Sequence, residues 1–192
     1  MNQPLLFTSE RSSSFWNLSQ PTTQKYVVEN LFSLAIIQKK TRTQIVMDLL
    51  YHQINTQKLP TITQLLQENL PSVLAATCYN ELGLSFAEEV KNTEIGHLFE
   101  HILLEYLCQY KINTGARRAT YAGRTKWNWV RDPFGRFHIH LTCGKKDANI
   151  LPIALEQTVS LMKIILGYHS QPIFSSPINQ TAQGLKNGER RW

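Results

Sequence analysis

Residues 92–105 read NTEIGHLFEHILLE and contain the string H-x-x-E-H, made of His97, Glu100 and His101. Two His at i and i+4 on a helix stand one above the other and can each place an imidazole nitrogen on one divalent ion. Glu100 then lies beside that ion. It is placed to act as a general base toward water that the ion acidifies, and zinc is the expected metal. The five-residue string is short enough to arise on any amphipathic helix, so its meaning rests on its surroundings.

The surroundings favour a helix. From Thr93 to about Tyr110 there is no proline and a single glycine, and Thr93 supplies a capping side chain ahead of the first-turn acid Glu94. At about 100° per residue, His97, Glu100, His101, Leu104 and Glu105 fall on one arc. Leu98, Phe99, Ile102, Leu103, Tyr106 and Leu107 cover the rest. The reading is a core face and a polar, solvent-facing one.

The other elements must hold this helix. A helix is expected from Thr23 to about Lys39, a short buried strand over 43–51, a short helix from the cap Thr61 to Gln67, and a strand over 72–79. Ser85–Lys91 reads as a helical turn feeding the motif helix. After Gly115, residues 118–130 alternate. Arg118, Arg124 and Lys126 lie on one side and Tyr121, Thr125, Trp127 and Trp129 on the other. Asp132-Pro133-Phe134-Gly135 is turn chemistry, and 136–143 alternates again, with His138 and His140 sharing a face opposite Cys143. The pair forms a hairpin. Residues 149–166 read as a final amphipathic helix, with proline near its start. The fold class expected is α+β: a small mixed or antiparallel sheet, its hairpin packed on the motif helix, and a C-terminal helix.

At 192 residues the chain suits one domain with tails. A hydrophobic content of 42% with 18% charged residues is that of a globular protein. No apolar run approaches the length of a bilayer span, and the N-terminus lacks a basic, hydrophobic leader, so a cytoplasmic protein is expected. Cys78, Cys108 and Cys143 are odd in number and never spaced as C-x-x-C, which points to reduced thiols rather than a disulfide framework or a cysteine zinc site. The net charge of +6 favours acidic partners. A basic, aromatic hairpin could suggest nucleic acid, but alternation of that kind more simply marks a core face and a wet face, so nucleic acid is not expected.

Several stretches together resemble a known family. These are 44–49 (QIVMDL), 70–74 (LPSVL), T-x-x-G-H-L-x-E-H-x-x-L-E from Thr93 to Glu105, Gly123-Arg124-Thr125, and Gly135-x-Phe137. Over residues 42–167 the chain is similar to the N-terminal domain of cyanophycin synthetase. Residues 1–41 then form an extension carrying one helix, and 168–192 a flexible basic tail. The resemblance implies a domain that holds a peptide polymer such as cyanophycin and, in many members, cuts it at a metallopeptidase-like site. It implies His97 and His101 as zinc ligands and Glu100 as base, in the motif order of the inverzincins. The chain offers no phosphate-binding G-x-x-x-x-G-K-[ST] loop, so a free-standing relative rather than a synthetase is expected.

A catalytic zinc wants three protein ligands and an open position. Glu105 is about 9 Å along the axis from the midpoint of the His pair and is expected to orient His101 from outside the ligand set. The third ligand is left between His138 and His140, Thr142 standing where the family commonly has an acid. Arg118, Arg124 and Lys126 are candidate binders of substrate carboxylates. Two functions follow: a metal-dependent hydrolase acting on cyanophycin or a related acidic or zwitterionic polymer, or a non-catalytic polymer-binding module. Self-association is left open.

Overall fold

The computed structural model describes residues 23–78, 84–168 and 188–191. Its centre is an antiparallel six-stranded sheet: β1 (Thr23–Val28), β2 (Phe32–Gln38), β3 (Thr43–Leu49), β4 (Gly123–Trp127), β5 (Arg136–Leu141) and β6 (Gly188–Arg191). The spatial order is β1-β2-β3-β5-β4-β6. Four helices complete it: α1 (Ile62–Asn69), α2 (Phe86–Glu89), α3 (Ile95–Asn113) and α4 (Leu151–Tyr168). The α+β class and the hairpin on the motif helix are as expected.

The strands alternate strictly. Phe32, Leu34 and Ile36, then Ile45, Met47 and Leu49, then Phe137, Ile139 and Leu141 are buried, while their neighbours are half-buried. Period-2 alternation puts one set on each face of the sheet. The buried face receives α3, which packs on β4 and β5 and is backed by α4. Phe99 of α3 meets Phe32 edge-on, with ring centres 6.0 Å apart.

Three sequence expectations change. Residues 23–38 form the β1–β2 hairpin and not a helix. The positions matched to a helical period are outvoted by the alternation of Phe32, Leu34 and Ile36, rich in residues that suit a pleated sheet. Asn30 turns the chain at φ 60°, a conformation asparagine tolerates. The segment after Pro71 is a 3-10 helix, Pro71–Ala75, rather than a strand, and Tyr79 lies outside the described residues. Within the expected tail, Gly188–Arg191 pairs with β4 as the last strand.

The β4–β5 turn closes at Gly135, whose φ of 84° suits a residue without a side chain. Its carbonyl accepts from the Leu49 amide, fastening the turn to β3. No helix among the described residues is long and apolar enough to cross a membrane.

Candidate metal centre

The first half of α3 is enclosed on every side. His97, Glu100 and His101 each have 0% exposure, as do Leu98, Phe99, Ile102 and Leu103. The polar arc read from the sequence is therefore not a solvent face. The sheet and α4 cover two sides of the helix, and α2 with the 3-10 segment covers a third, which no amphipathic pattern on α3 itself could reveal.

The start of α3 is pinned by threonines. Thr56 Oγ1 donates to the Val90 carbonyl at 2.6 Å and accepts from the Thr93 amide at 2.9 Å. Thr93 Oγ1 in turn lies 2.8 Å from His97 Nδ1 and 3.4 Å from Glu89 Oε1. A hydroxyl has one proton to give. If Thr93 gives it to Glu89, it accepts from His97 Nδ1–H, which leaves a lone pair on His97 Nε2.

That lone pair has company. His97 Nε2 is 3.1 Å from His101 Nε2 and 3.7 Å from Cys78 Sγ. Cys78, His97 and His101 each offer a ligand atom, and all three atoms lie within 4.8 Å of one another. Tetrahedral zinc with its usual bond lengths separates two nitrogens by about 3.3 Å and a nitrogen from a sulfur by about 3.5 Å. The donor set fits. Burial and the neighbouring His97 hold the His101 pKa well below the ordinary range, keeping its imidazole neutral, the form that binds metal.

Phe86 stacks on the His101 ring at 3.6 Å, nearly parallel, and meets His97 edge-on. This sets the orientation of both imidazoles. Glu100 points elsewhere, to β4. Thr125 Oγ1 donates a short hydrogen bond to Glu100 Oε2, while Glu100 Oε1 is buried with no hydrogen-bond partner among the described residues. Burial drives the Glu100 carboxyl up to about 8, against a smaller lowering by Thr125.

The remaining motif residues now have physical roles. A side chain at Gly123 would overlap Glu100 Oε1 and Leu104, and one at Gly96 would overlap the Phe137 ring. Gly123 and Thr125 of the G-R-T string thus seat Glu100, and Gly96 lets α3 lie directly on Phe137 of β5. Arg124, between them, faces the other way.

The expected third ligands are displaced. His138 and His140 lie on the outer face of the sheet, opposite α3, paired in register with Lys126 and Arg124. His138 Nε2 is 3.1 Å from Asp132 Oδ2, and His140 Nδ1 is 3.4 Å from the Gln44 amide. The sheet separates both from the cluster. Beside His97 and His101 the structure places Cys78 instead. No spacing signal could have found a lone cysteine 19 residues before His97. Arg124 and Lys126 line an outer-face groove of about 370 Å³ with Arg42 and His140, and Arg118 is exposed in the loop before β4. Burial, and then the positive neighbours, keep the His140 pKa low. Glu105 accepts from Gln109 Nε2 at 3.2 Å.

A helix carrying closely set donors, laid on an antiparallel sheet whose hairpin supplies a glycine and a threonine to its glutamate, is the centre of this α+β domain. Residues 44–130 match the family model described as cyanophycin synthase-like N-terminal domain, so the resemblance read from the sequence holds over that stretch. No curated protein and no solved structure matched the chain.

Proposed function

We propose that this chain is a metal-dependent amide hydrolase acting on a cyanophycin-related polymer, with its ion on Cys78, His97 and His101. The observation that carries the reading is the convergence of three buried donor atoms within 4.8 Å, two of them on the helix that also bears Glu100 and the third, from Cys78, on the stretch after the 3-10 segment. Three protein ligands leave the fourth tetrahedral position open, as catalytic rather than structural zinc sites do. Glu100 strengthens the reading, because a buried carboxyl with an unpartnered oxygen is costly and a purely structural ion has no need of it.

A divalent ion bound there supplies a Lewis acid and acidifies water. Glu100 would take a proton from water as it adds to the amide carbonyl and return it to the nitrogen as the C–N bond breaks. Thr125 holds the carboxyl in place, and Thr93 with Glu89 fixes the His97 tautomer. Phe86 keeps the imidazoles aligned and bulk water out.

Metal content by mass spectrometry after zinc loading tests the reading. We expect about one ion per chain in the wild type, and loss from Cys78→Ala and His97→Ala. Polymer cleavage should require the ion and fail in Glu100→Gln. A loaded wild type that cuts no polymer overturns hydrolysis, and an unloadable one overturns the metal site.

A second reading is favoured by one observation: Arg124 and Lys126 lie across the sheet from the cluster. A module that only holds polymer would use that outer groove. Co-sedimentation with the polymer separates the two, since Arg124→Glu with Lys126→Glu abolishes retention only in the binding module.

A further inference from the structure

The groove of about 370 Å³ on the outer face of the sheet gathers hydrogen-bond donors from neighbouring strands. Register sets them side by side. Arg124 of β4 lies opposite His140 of β5, and His140 lies opposite Gln44 of β3. Arg42, Lys126 and Thr142 complete the polar lining.

The contacts already made there leave protons to give. The Gln44 side-chain nitrogen can only donate to His140 Nδ1, 3.4 Å away, so the imidazole carries its proton on Nε2. Burial, and then the positive charges of His138, Lys126, Arg42 and Arg124, keep that ring neutral by holding its pKa low. Thr142 Oγ1 accepts from the Ala122 amide at 2.8 Å and keeps its own proton for a further acceptor. The lining thus offers two guanidinium groups, an ammonium, an imidazole N–H and a hydroxyl, and none of its described residues is acidic. Opposite Arg124 and Lys126 in β6 stand Arg191 and Glu189, whose charges cancel. Asp48 of β3 and Asp132 of the β4–β5 turn are held by Arg136 and His138.

A carboxylate brings a single charge to such a site. A phosphomonoester brings about two, with three acceptor oxygens, which suits three fixed cations and the planar forks of two arginines. The volume lies within the roughly 300–1,000 Å³ of small-molecule sites. We propose that the outer-face groove binds the phosphate group of a small phosphomonoester. The sheet separates this site from the metal centre, and the occupant differs from the polymer that the binding-module reading would place in the same groove.

Calorimetric titration of the full chain, in a phosphate-free buffer of low ionic strength, with inorganic phosphate, glycerol phosphate and N-acetylaspartate tests this. N-acetylaspartate carries its charges on carboxylates and stands in for an acidic polymer. We expect both phosphate compounds to bind at least tenfold more tightly than N-acetylaspartate, and Arg124→Ser with Lys126→Ser to lose at least tenfold in phosphate affinity. Arg42→Ser, an exposed change in the β2–β3 turn, should weaken phosphate binding by itself with an unchanged circular dichroism spectrum. Equal or tighter binding of N-acetylaspartate, wild-type phosphate affinity in either variant, or no binding of the phosphate compounds by the wild type would overturn the proposal. Metal loading plays no part in the readout, so failure of the hydrolase reading and failure of this one are seen separately.

Discussion

Glu100 and Asp147 are both fully buried carboxyl groups, and their surroundings push them in opposite directions. Asp147 Oδ1 accepts from Lys111 Nζ at 3.0 Å and from Tyr121 OH at 2.9 Å. Burial alone would raise its pKa, but these partners and the Gly144 backbone outweigh it and hold it below the ordinary carboxylate range. Glu100 has a single threonine donor and rises to about 8. The cation decides the sign. Asp147 is a fastener, joining the end of α3, the loop before β4 and the turn into α4. Glu100, by contrast, makes one side-chain hydrogen bond among the described residues, to Thr125 of β4.

The largest expected effect comes from Glu100→Gln in the zinc-loaded protein, where polymer cleavage should fall by on the order of 10²–10⁴ in turnover assays. The same substitution sharpens the comparison in the metal-free protein. Folded Glu100 keeps its proton to about pH 8, against an ordinary value of 4.5, so its contribution is fully present below 4.5 and is lost as pH rises through 8. Urea titrations should show wild-type stability falling across that window and the variant remaining flat. Asp147→Asn should behave in reverse, costing about 2 kcal/mol at pH 7 in urea unfolding. Its deficit should vanish in acid, because the wild-type contribution exists above the unfolded value near 3.8 and is lost as pH falls through the lowered folded one.

A smaller effect belongs to Gly123→Ala, which should cost about 1–3 kcal/mol by pressing on Glu100 and Leu104, while zinc content stays at the wild-type level. Smallest of all, Arg124→Ser on the outer face should change stability by about 0.5 kcal/mol or less and leave metal content untouched.

Much of this arrangement was legible in the sequence. The motif helix, the β4–β5 hairpin and its two faces, and the buried strand β3 all follow from local periodicity. The β1–β2 hairpin was misread because its apolar residues satisfy a helical period almost as well as an alternating one. At the site, His97, Glu100 and His101 were legible, and the glycines and threonines around them were visible as a pattern without a role. Cys78 was not legible. Its closeness to His97 is created by a 3-10 turn and a reversal of the chain, and nothing local encodes that distance. The same limit misplaced His138 and His140, since alternation says that two residues share a face and not which face meets the helix.

The strand order carries a consequence for how the domain is assembled. β5 lies between β3 and β4, yet it comes after residue 130, where the family match ends. Cut at that point, β3 and β4 would stand about 10 Å apart with their inward edges unpaired. Such a fragment would display two sticky edges and an uncovered α3, and it should aggregate rather than fold. During synthesis the middle of the sheet likewise cannot close until residues 136–141 have emerged, after both strands that flank them.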